Sequence, residues 1–260
     1  MKLMGVVNVT PDSFSDGGLY LDPGAAVAHG RELEAAGAAI LDVGGESTRP
    51  GAEPVSEAEE LARVTPVVAG LASGAAAVSI DTSKAAVAAA AIAAGAAIVN
   101  DVTALRGDPE MAALCAERGV TVVLMHMLGE PRTMQAHPSY DDVVADVKRF
   151  LAGRVEAAIA AGIDEERIWL DPGIGFGKTA EHNLELLRRL SELRGLGRPL
   201  VVGTSRKSFI GKLDGSEASE RLGGTIASSV LAAAEGADVL RVHDVAEVGQ
   251  ALAVTTAVLG

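Results

Sequence analysis

An aspartate that closes an apolar run and opens a glycine-rich turn, as in Asp171-Pro-Gly-Ile-Gly-Phe-Gly-Lys178, is an acid held at the rim of a buried sheet. Asp81 and Asn100 end two earlier apolar runs in the same way, and Lys207 follows a later one. These four groups complement a flat nitrogen heterocycle. A carboxylate accepts two hydrogen bonds from an N–C–N edge, an amide both donates and accepts, and an ammonium donates to a ring carbonyl. Asp81 and Asp101 are equally placed to cap the helices that follow them, and the sequence leaves both roles open.

A second set suits an anion. Ser205-Arg206-Lys207-Ser208 and Arg241-Val-His243 gather cations and hydroxyls in a chain of formal net charge −13. Their alternative use is pairing with neighbouring acids such as Asp214 or Asp244. Asn8, followed by Thr10, Asp12 and Ser13, adds oxygens of the kind taken by Mg2+, which keeps few protein ligands and fills its shell with water and phosphate. Of the four phenylalanines, Phe14, Phe176 and Phe209 fall between an apolar run and the next helical pattern, where polar residues are usual. They would stack on an aromatic ligand or pack their own loops. Trp169 lies inside an apolar run and reads as core. Segments 10–18 and 44–52 are rich in glycine and proline, the composition of loops that close over a substrate. The five histidines show no metal-ligand spacing and the single cysteine, Cys115, has no nucleophile context, which disfavours zinc catalysis and a serine triad.

Such residues act together only if the chain brings them together. Eight short apolar runs, at 4–7, 39–41, 77–80, 97–99, 121–125, 168–170, 200–203 and 239–242, are each followed by polar or glycine-rich residues. Helical patterns lie over 56–71, 83–94, 109–118, 141–161, 179–193, 219–235 and 245–258, with Ser56 as N-cap to a first turn holding Glu57, Glu59 and Glu60. Gly37, Gly95, Gly119, Gly162 and Gly236 stand where a left-handed residue would stop a helix before the next run. The alternation predicts a parallel sheet buried on both faces, and eight units over about 250 residues predict a (β/α)8 TIM barrel, one domain spanning 1–260. An open doubly wound sheet is the alternative. In a barrel the chemistry sits at the C-terminal strand ends, where the polar residues above fall. The negative charge disfavours nucleic acid and anionic membranes as partners. With no secretory or membrane-spanning pattern, the expected location is the cytoplasm.

At these residues the chain resembles the dihydropteroate synthase family. The resemblance runs through Met4-Gly-Val-Val-Asn-Val-Thr-Pro-Asp-Ser-Phe-Ser-Asp-Gly-Gly18, Glu46-Ser-Thr-Arg-Pro-Gly-Ala52, Ser79-Ile-Asp-Thr82, Val99-Asn-Asp101, Met125-His-Met127 with 129–135, Asp171 to Phe176, Ser205-Arg-Lys-Ser-Phe209 and Arg241-Val-His-Asp244. It implies condensation of 6-hydroxymethyl-7,8-dihydropterin diphosphate with 4-aminobenzoate, sulfonamides as competitors, and a homodimer. By the same resemblance Asp81, Asn100, Met125, Asp171, Phe176 and Lys207 would hold the pterin, with Asp81, Asp171 and Lys207 carrying the catalysis. Asn8, Arg241 and His243 would hold the diphosphate, Asn8 with Mg2+, while Phe14, Thr48, Pro50 and Ser208 would bound the aminobenzoate. Two other readings share the pterin pocket. A methyltetrahydrofolate corrinoid methyltransferase would lack the two loop signatures that are intact here, and a silent pterin-binding paralogue would keep them without turnover.

Overall fold

The computed structural model describes residues 1–10, 22–47, 52–129 and 133–259. Eight parallel strands, β1 (Lys2–Asn8), β2 (Ile40–Gly44), β3 (Ala77–Asp81), β4 (Ile98–Asp101), β5 (Thr121–Met125), β6 (Ile168–Asp171), β7 (Val201–Val202) and β8 (Val239–Val242), form one sheet in the order 6-5-4-3-2-1-8-7. β1 pairs with both β2 and β8. A single parallel bridge, Leu170 to Leu200, joins the two ends of the sheet and closes the barrel. A doubly wound sheet would leave those ends apart, so the barrel expectation is the correct one.

Helices α1 (Pro23–Ala35), α2 (Glu57–Leu71), α3 (Ala85–Ala94), α4 (Met111–Arg118), α5 (Val143–Ala160), α6 (Ala180–Arg188), α7 (Ser208–Asp214), α8 (Leu222–Ala234) and α9 (Val245–Leu259) follow the strands in turn, two of them after β7. Ser56 caps α2 by accepting from the Glu59 N–H, and Asp142 caps α5 through Val144 and Ala145. The five stop glycines all have positive φ, as the pattern required. Three elements differ from the sequence reading. α1 is implied by its stop at Gly37 but was given no bounds, because Gly24, His29 and Gly30 blur its apolar period. Gly30 is nonetheless required, since a Cβ there would lie 2.7 Å from Leu71 of α2. The helix expected over 179–193 ends at Arg188 and tightens into a 3-10 stretch at Leu190–Leu196. α7 is a short helix inside the loop region after β7. No helix among the described residues is long and apolar enough to cross a membrane.

One side chain from each strand plugs the barrel: Met4, Ile40, Ala77, Ile98, Val123, Trp169, Val201 and Val239. Because side chains alternate along a strand, the residues two further on face the same interior. They include Asp42, Ser79, Asn100, Met125, Asp171 and Arg241. Four further on, Asn8 and Asp81 stand at the mouth. The period that builds the apolar plug thus also stacks the polar groups above it.

Candidate active site

A cavity of about 430 Å³ opens at the C-terminal strand ends. Its wall includes Asn8, Asp81, Phe176, Lys207, Ser208, Arg241 and His243 from the expected set, together with Thr10, Glu46, Ser47, Met134, Ser205, Arg206 and Arg221. The volume suits a small-molecule ligand.

On one bank the groups are held by charge. Arg241 reaches across from β8, donating from Nε to Asp42 Oδ2 at 2.6 Å and from Nη2 to Asp81 Oδ2 at 2.9 Å. Asn100 Nδ2 donates to the same Asp42 oxygen at 3.1 Å. Asp42 is wholly buried, and its Oδ1 has no hydrogen-bond partner. Its contacts therefore serve the site: they aim the guanidinium and set the orientation of the Asn100 amide. Burial raises the Asp81 carboxyl to about 7, against the pull of Arg241 and with the help of Asp42. Burial works against the Arg241 charge as well, but Asp42 and Asp81 outweigh it and push its pKa up.

The opposite bank is held by backbone. Asp171 Oδ1 accepts from the Gly173 N–H at 2.6 Å, which starts the turn. Gly173 has φ +68°, and a Cβ there would stand 1.9 Å from the His126 carbonyl oxygen, so only glycine fits. Lys178, 2% exposed, threads back beneath the loop; its Nζ donates to Gly173 O at 2.9 Å and Phe176 O at 3.0 Å and lies 2.9 Å from His126 Nδ1. Burial holds Lys178 well below the usual ammonium range. Burial and the nearby Lys178 hold His126 down at about 3, so the imidazole is neutral and its Nδ1 is available as an acceptor. Tyr140 donates to Gly177 O at 2.7 Å, and Asn183 Oδ1 accepts from the Gly175 N–H at 2.7 Å, which fixes the rest of the turn.

Lys207 caps this bank. Its Nζ donates to Ile174 O and sits 4.2 Å from the centre of the Phe176 ring, a cation–π distance. Burial lowers its pKa to about 8, with Asp171 opposing the shift. The other face of Phe176's surroundings is a methionine cluster, Met125, Met127 and Met134 with Val102. Burial also raises the Asp171 carboxyl, although Lys207 opposes this. Asn100, Met125 and Asp171 are 5%, 3% and 7% exposed and are not among the residues of the cavity wall.

The alternatives left open by the sequence separate residue by residue. Asp101 caps no helix: its two oxygens accept from Thr103 N, Thr103 Oγ1 and Leu105 N and close the turn after β4, well before α4 begins at Met111. Asp81 caps none either, since its partner is Arg241. Arg206 pairs through two nitrogens with Asp244, the acid-pairing use. Ser205 Oγ lies 3.0 Å from His243 Nδ1 and accepts from the His243 N–H at 3.2 Å, orienting that ring. Phe209 corrects the aromatic expectation: it is 3% exposed and belongs to the main core. Ser208 is exposed at the start of α7. Phe14, Thr48 and Pro50 lie outside the described residues. Sequence reasoning gave no role to Asp42, Glu46 or Lys178. Asp42 had a usable signal, a charge between Leu41 and Val43 in phase with Ile40, whereas nothing local marked Lys178 as buried.

A parallel barrel whose mouth sets carboxylates and an amide beside an arginine, a lysine and a histidine is the architecture of an enzyme acting on a small, partly anionic substrate. The family model for pterin binding enzymes matches residues 4–243. A dihydropteroate synthase of Escherichia coli (strain K12) is 49% identical over 258 residues, covering 99% of this chain and 91% of that one. The Yersinia pestis dihydropteroate synthase solved in a sulfonamide drug complex superposes with a TM-score of 0.96 at 47% identity, covering 99% of this chain and 94% of that one. The Xanthomonas albilineans dihydropteroate synthase solved with 4-aminobenzoic acid gives a TM-score of 0.92 at 52% identity, covering 99% and 92%. The chain belongs to the pterin binding enzyme family and, within it, to the dihydropteroate synthases.

Proposed function

We propose that the protein condenses 6-hydroxymethyl-7,8-dihydropterin diphosphate with 4-aminobenzoate, giving 7,8-dihydropteroate and pyrophosphate. The observation that carries this is the meeting, around one cavity, of Asp81, Arg241, His243 and Lys207. Carboxylates and an amide for a pterin edge lie within reach of cations for a diphosphate. The Xanthomonas albilineans enzyme solved with 7,8-dihydropteroate supports the same product here.

The proposed route is dissociative. The bond between the pterin methylene carbon and the diphosphate oxygen breaks first, and the electron pair leaves with pyrophosphate. Arg241 and His243 stabilise that anion, while Asp81 and Asp171 stabilise the methylene cation left behind. The aryl amine then attacks the carbon and loses a proton. Lys207 donates to the ring, and Phe176 excludes water from the cation. Arg241 donates to Asp81 and Lys207 to Ile174 O, and substrate groups would compete for both donors.

Asn8, a residue with a neutral side-chain amide, lies on the cavity wall, and no group of three or more His, Cys, Asp or Glu among the described residues is placed to hold a metal ion. One neutral protein oxygen fits Mg2+, which completes its shell from water and phosphate. Asn8 would hold the ion, and when bound it would supply positive charge to the departing diphosphate. We further propose ordered binding, with the diphosphate substrate first, sulfonamides competing with 4-aminobenzoate, and work in the cytoplasm as a homodimer. The support for the dimer is an uncharged face: α8 carries no charged residue, and Leu222, Leu231, Val254 and Val258 of α8 and α9 are exposed. Pyrophosphate release that requires both substrates tests the reaction. Release from the diphosphate substrate alone, or none with both present, refutes it.

A further inference from the structure

We propose that Thr225 is a positioning residue for this reaction: from α8 it fastens Arg206 in a left-handed conformation and so sets where Lys207 stands in the cavity. Thr204 to Lys207 form a tight turn, closed by the Lys207 N–H to Thr204 O at 3.2 Å. Its third residue, Arg206, has φ +56°. A turn with positive φ at that place ordinarily takes glycine or asparagine, because a Cβ makes the conformation costly. Another residue persists there only where its surroundings over-determine it. Among the described residues Ala104 and Leu105 share the positive φ, but of the three only Arg206 lies on the cavity wall.

Three fastenings meet on Arg206. Its N–H donates to Thr225 Oγ1 at 2.9 Å, its carbonyl oxygen accepts from Arg221 Nη1 at 3.1 Å, and its guanidinium pairs with Asp244. Arg221, at the N-cap of α8, Thr225 and Ser229 are four residues apart and share one face of the helix. Ser229 Oγ lies 3.4 Å from Thr204 Oγ1, so that face meets the turn at its first and third residues. α8 comes this close because Gly224 leaves room: a Cβ there would stand 2.4 Å from Ile210 of α7. Thr225 is wholly buried and is not among the residues of the cavity wall, so its effect on a ligand passes through the turn. The residue that the turn delivers is Lys207, whose Nζ donates to Ile174 O over the Phe176 ring. The inference rests on the proposed function, which gives Lys207 the pterin ring.

Thr225→Val removes the hydroxyl and leaves the Arg206 N–H without this acceptor. It should weaken dihydropterin diphosphate binding about tenfold in calorimetry, as the turn relaxes and Lys207 is in place only part of the time. A second readout belongs to the lysine itself. Asp171, Asp81 and Arg241 from the strand ends act on Lys207, with Lys178 beneath the neighbouring loop, and burial lowers its pKa to about 8. A lysine largely released to water holds its proton to higher pH, so the same tenfold loss should move the alkaline limb of kcat/KM up by about one pH unit. A loss of stability alone does not move that limb. Thr225→Ser should restore both readouts. In the Thr225→Val background Arg206→Gly should bind about tenfold tighter than Arg206→Ala, since both lack the guanidinium and only glycine adopts the turn without cost. Thr225→Ala removes the same hydroxyl without apolar crowding, and it carries the same comparisons should Thr225→Val fail to fold. Wild-type affinity or an unmoved limb in Thr225→Val, or equal affinities in the glycine and alanine variants, overturns the proposal. Lys207→Met supplies the control. Wild-type affinity there refutes the role given to Lys207 and this proposal with it, whereas a Lys207→Met defect beside an unaffected Thr225→Val refutes the proposal alone.

Discussion

The two banks of the cavity are built by different physics. On the β2, β3 and β8 side, Arg241 is fixed by Asp42 and Asp81, charge against charge. On the β6 and β7 side, Lys178 and Lys207 are fixed by carbonyl oxygens of the backbone they support. The first bank depends on which groups are ionised and the second on a chain path that glycines allow. The β2, β3 and β8 bank should therefore respond to charge changes, and the β6 and β7 bank to changes in loop shape.

The sharpest way to break the contrast is Arg241→Ala, which leaves two buried carboxylates without a counter-charge. Removing one partner of such a cluster costs about 3–5 kcal/mol, visible as a lower denaturant midpoint, and Asp42→Asn in the same chain should recover part of it. A midpoint unchanged from wild type would contradict the charge-held bank. Across the cavity, Asp171→Asn should leave the fold in place and weaken pterin binding about ten- to a hundredfold, the value of roughly 1.5–3 kcal/mol for a charge-assisted bond. The geometry gives the reason: the asparagine oxygen would keep the Gly173 N–H, so its NH2 would meet the donor edge of the ring. Isothermal titration with a pterin ligand checks this.

Lys178→Met should cost less in stability, about 1–3 kcal/mol, because Gly173 O still accepts from Phe176 N while Phe176 O loses its lysine. Pterin affinity should fall with it, since Phe176 and Asp171 lie on the loop it braces. Stability loss with pterin affinity intact would show that the loop does not need its strut. The mildest perturbation is pH. Asp81, facing Arg241 and Asp42 with Glu60 and Asp101 further off, titrates near 7, and the proposed route uses its carboxylate. kcat/KM for the diphosphate substrate should decline below about pH 7 as Asp81 takes up a proton, and again above about pH 8 as Lys207 gives one up. Each limb steepens to about tenfold per pH unit. In Asp81→Asn the acid limb should disappear and the alkaline limb should remain.

What was legible in the sequence follows from the same contrast. Runs such as 121–125 and 239–242 became strands with those bounds, because parallel strands are buried on both faces and must be apolar. Asp81, Asp171 and Arg241 were visible as charges ending such runs. Asp42 was harder, since its role depends on a partner 199 residues away in sequence. Lys178 was hidden for a different reason. A lysine after three glycines reads as solvated, and only the folded turn shows the carbonyl oxygens that enclose it. The bounds of α1 were not legible because Gly30, needed for close approach to α2, weakens the helix pattern it belongs to.

The short strand β7 sets where the barrel can part. β6 and β7 meet at one bridge, supported by the Leu170 N–H to Pro199 O bond of 2.9 Å, whereas neighbours such as β1 and β2 share five register pairs. Local opening favours the seam with the fewest bonds. In deuterium exchange the Leu170 amide should therefore label ahead of those of Leu41 and Val99. Asp171 and Lys207 stand on either side of this seam, so the pair that would grip a ring edge spans the line along which the sheet uncurls at least cost.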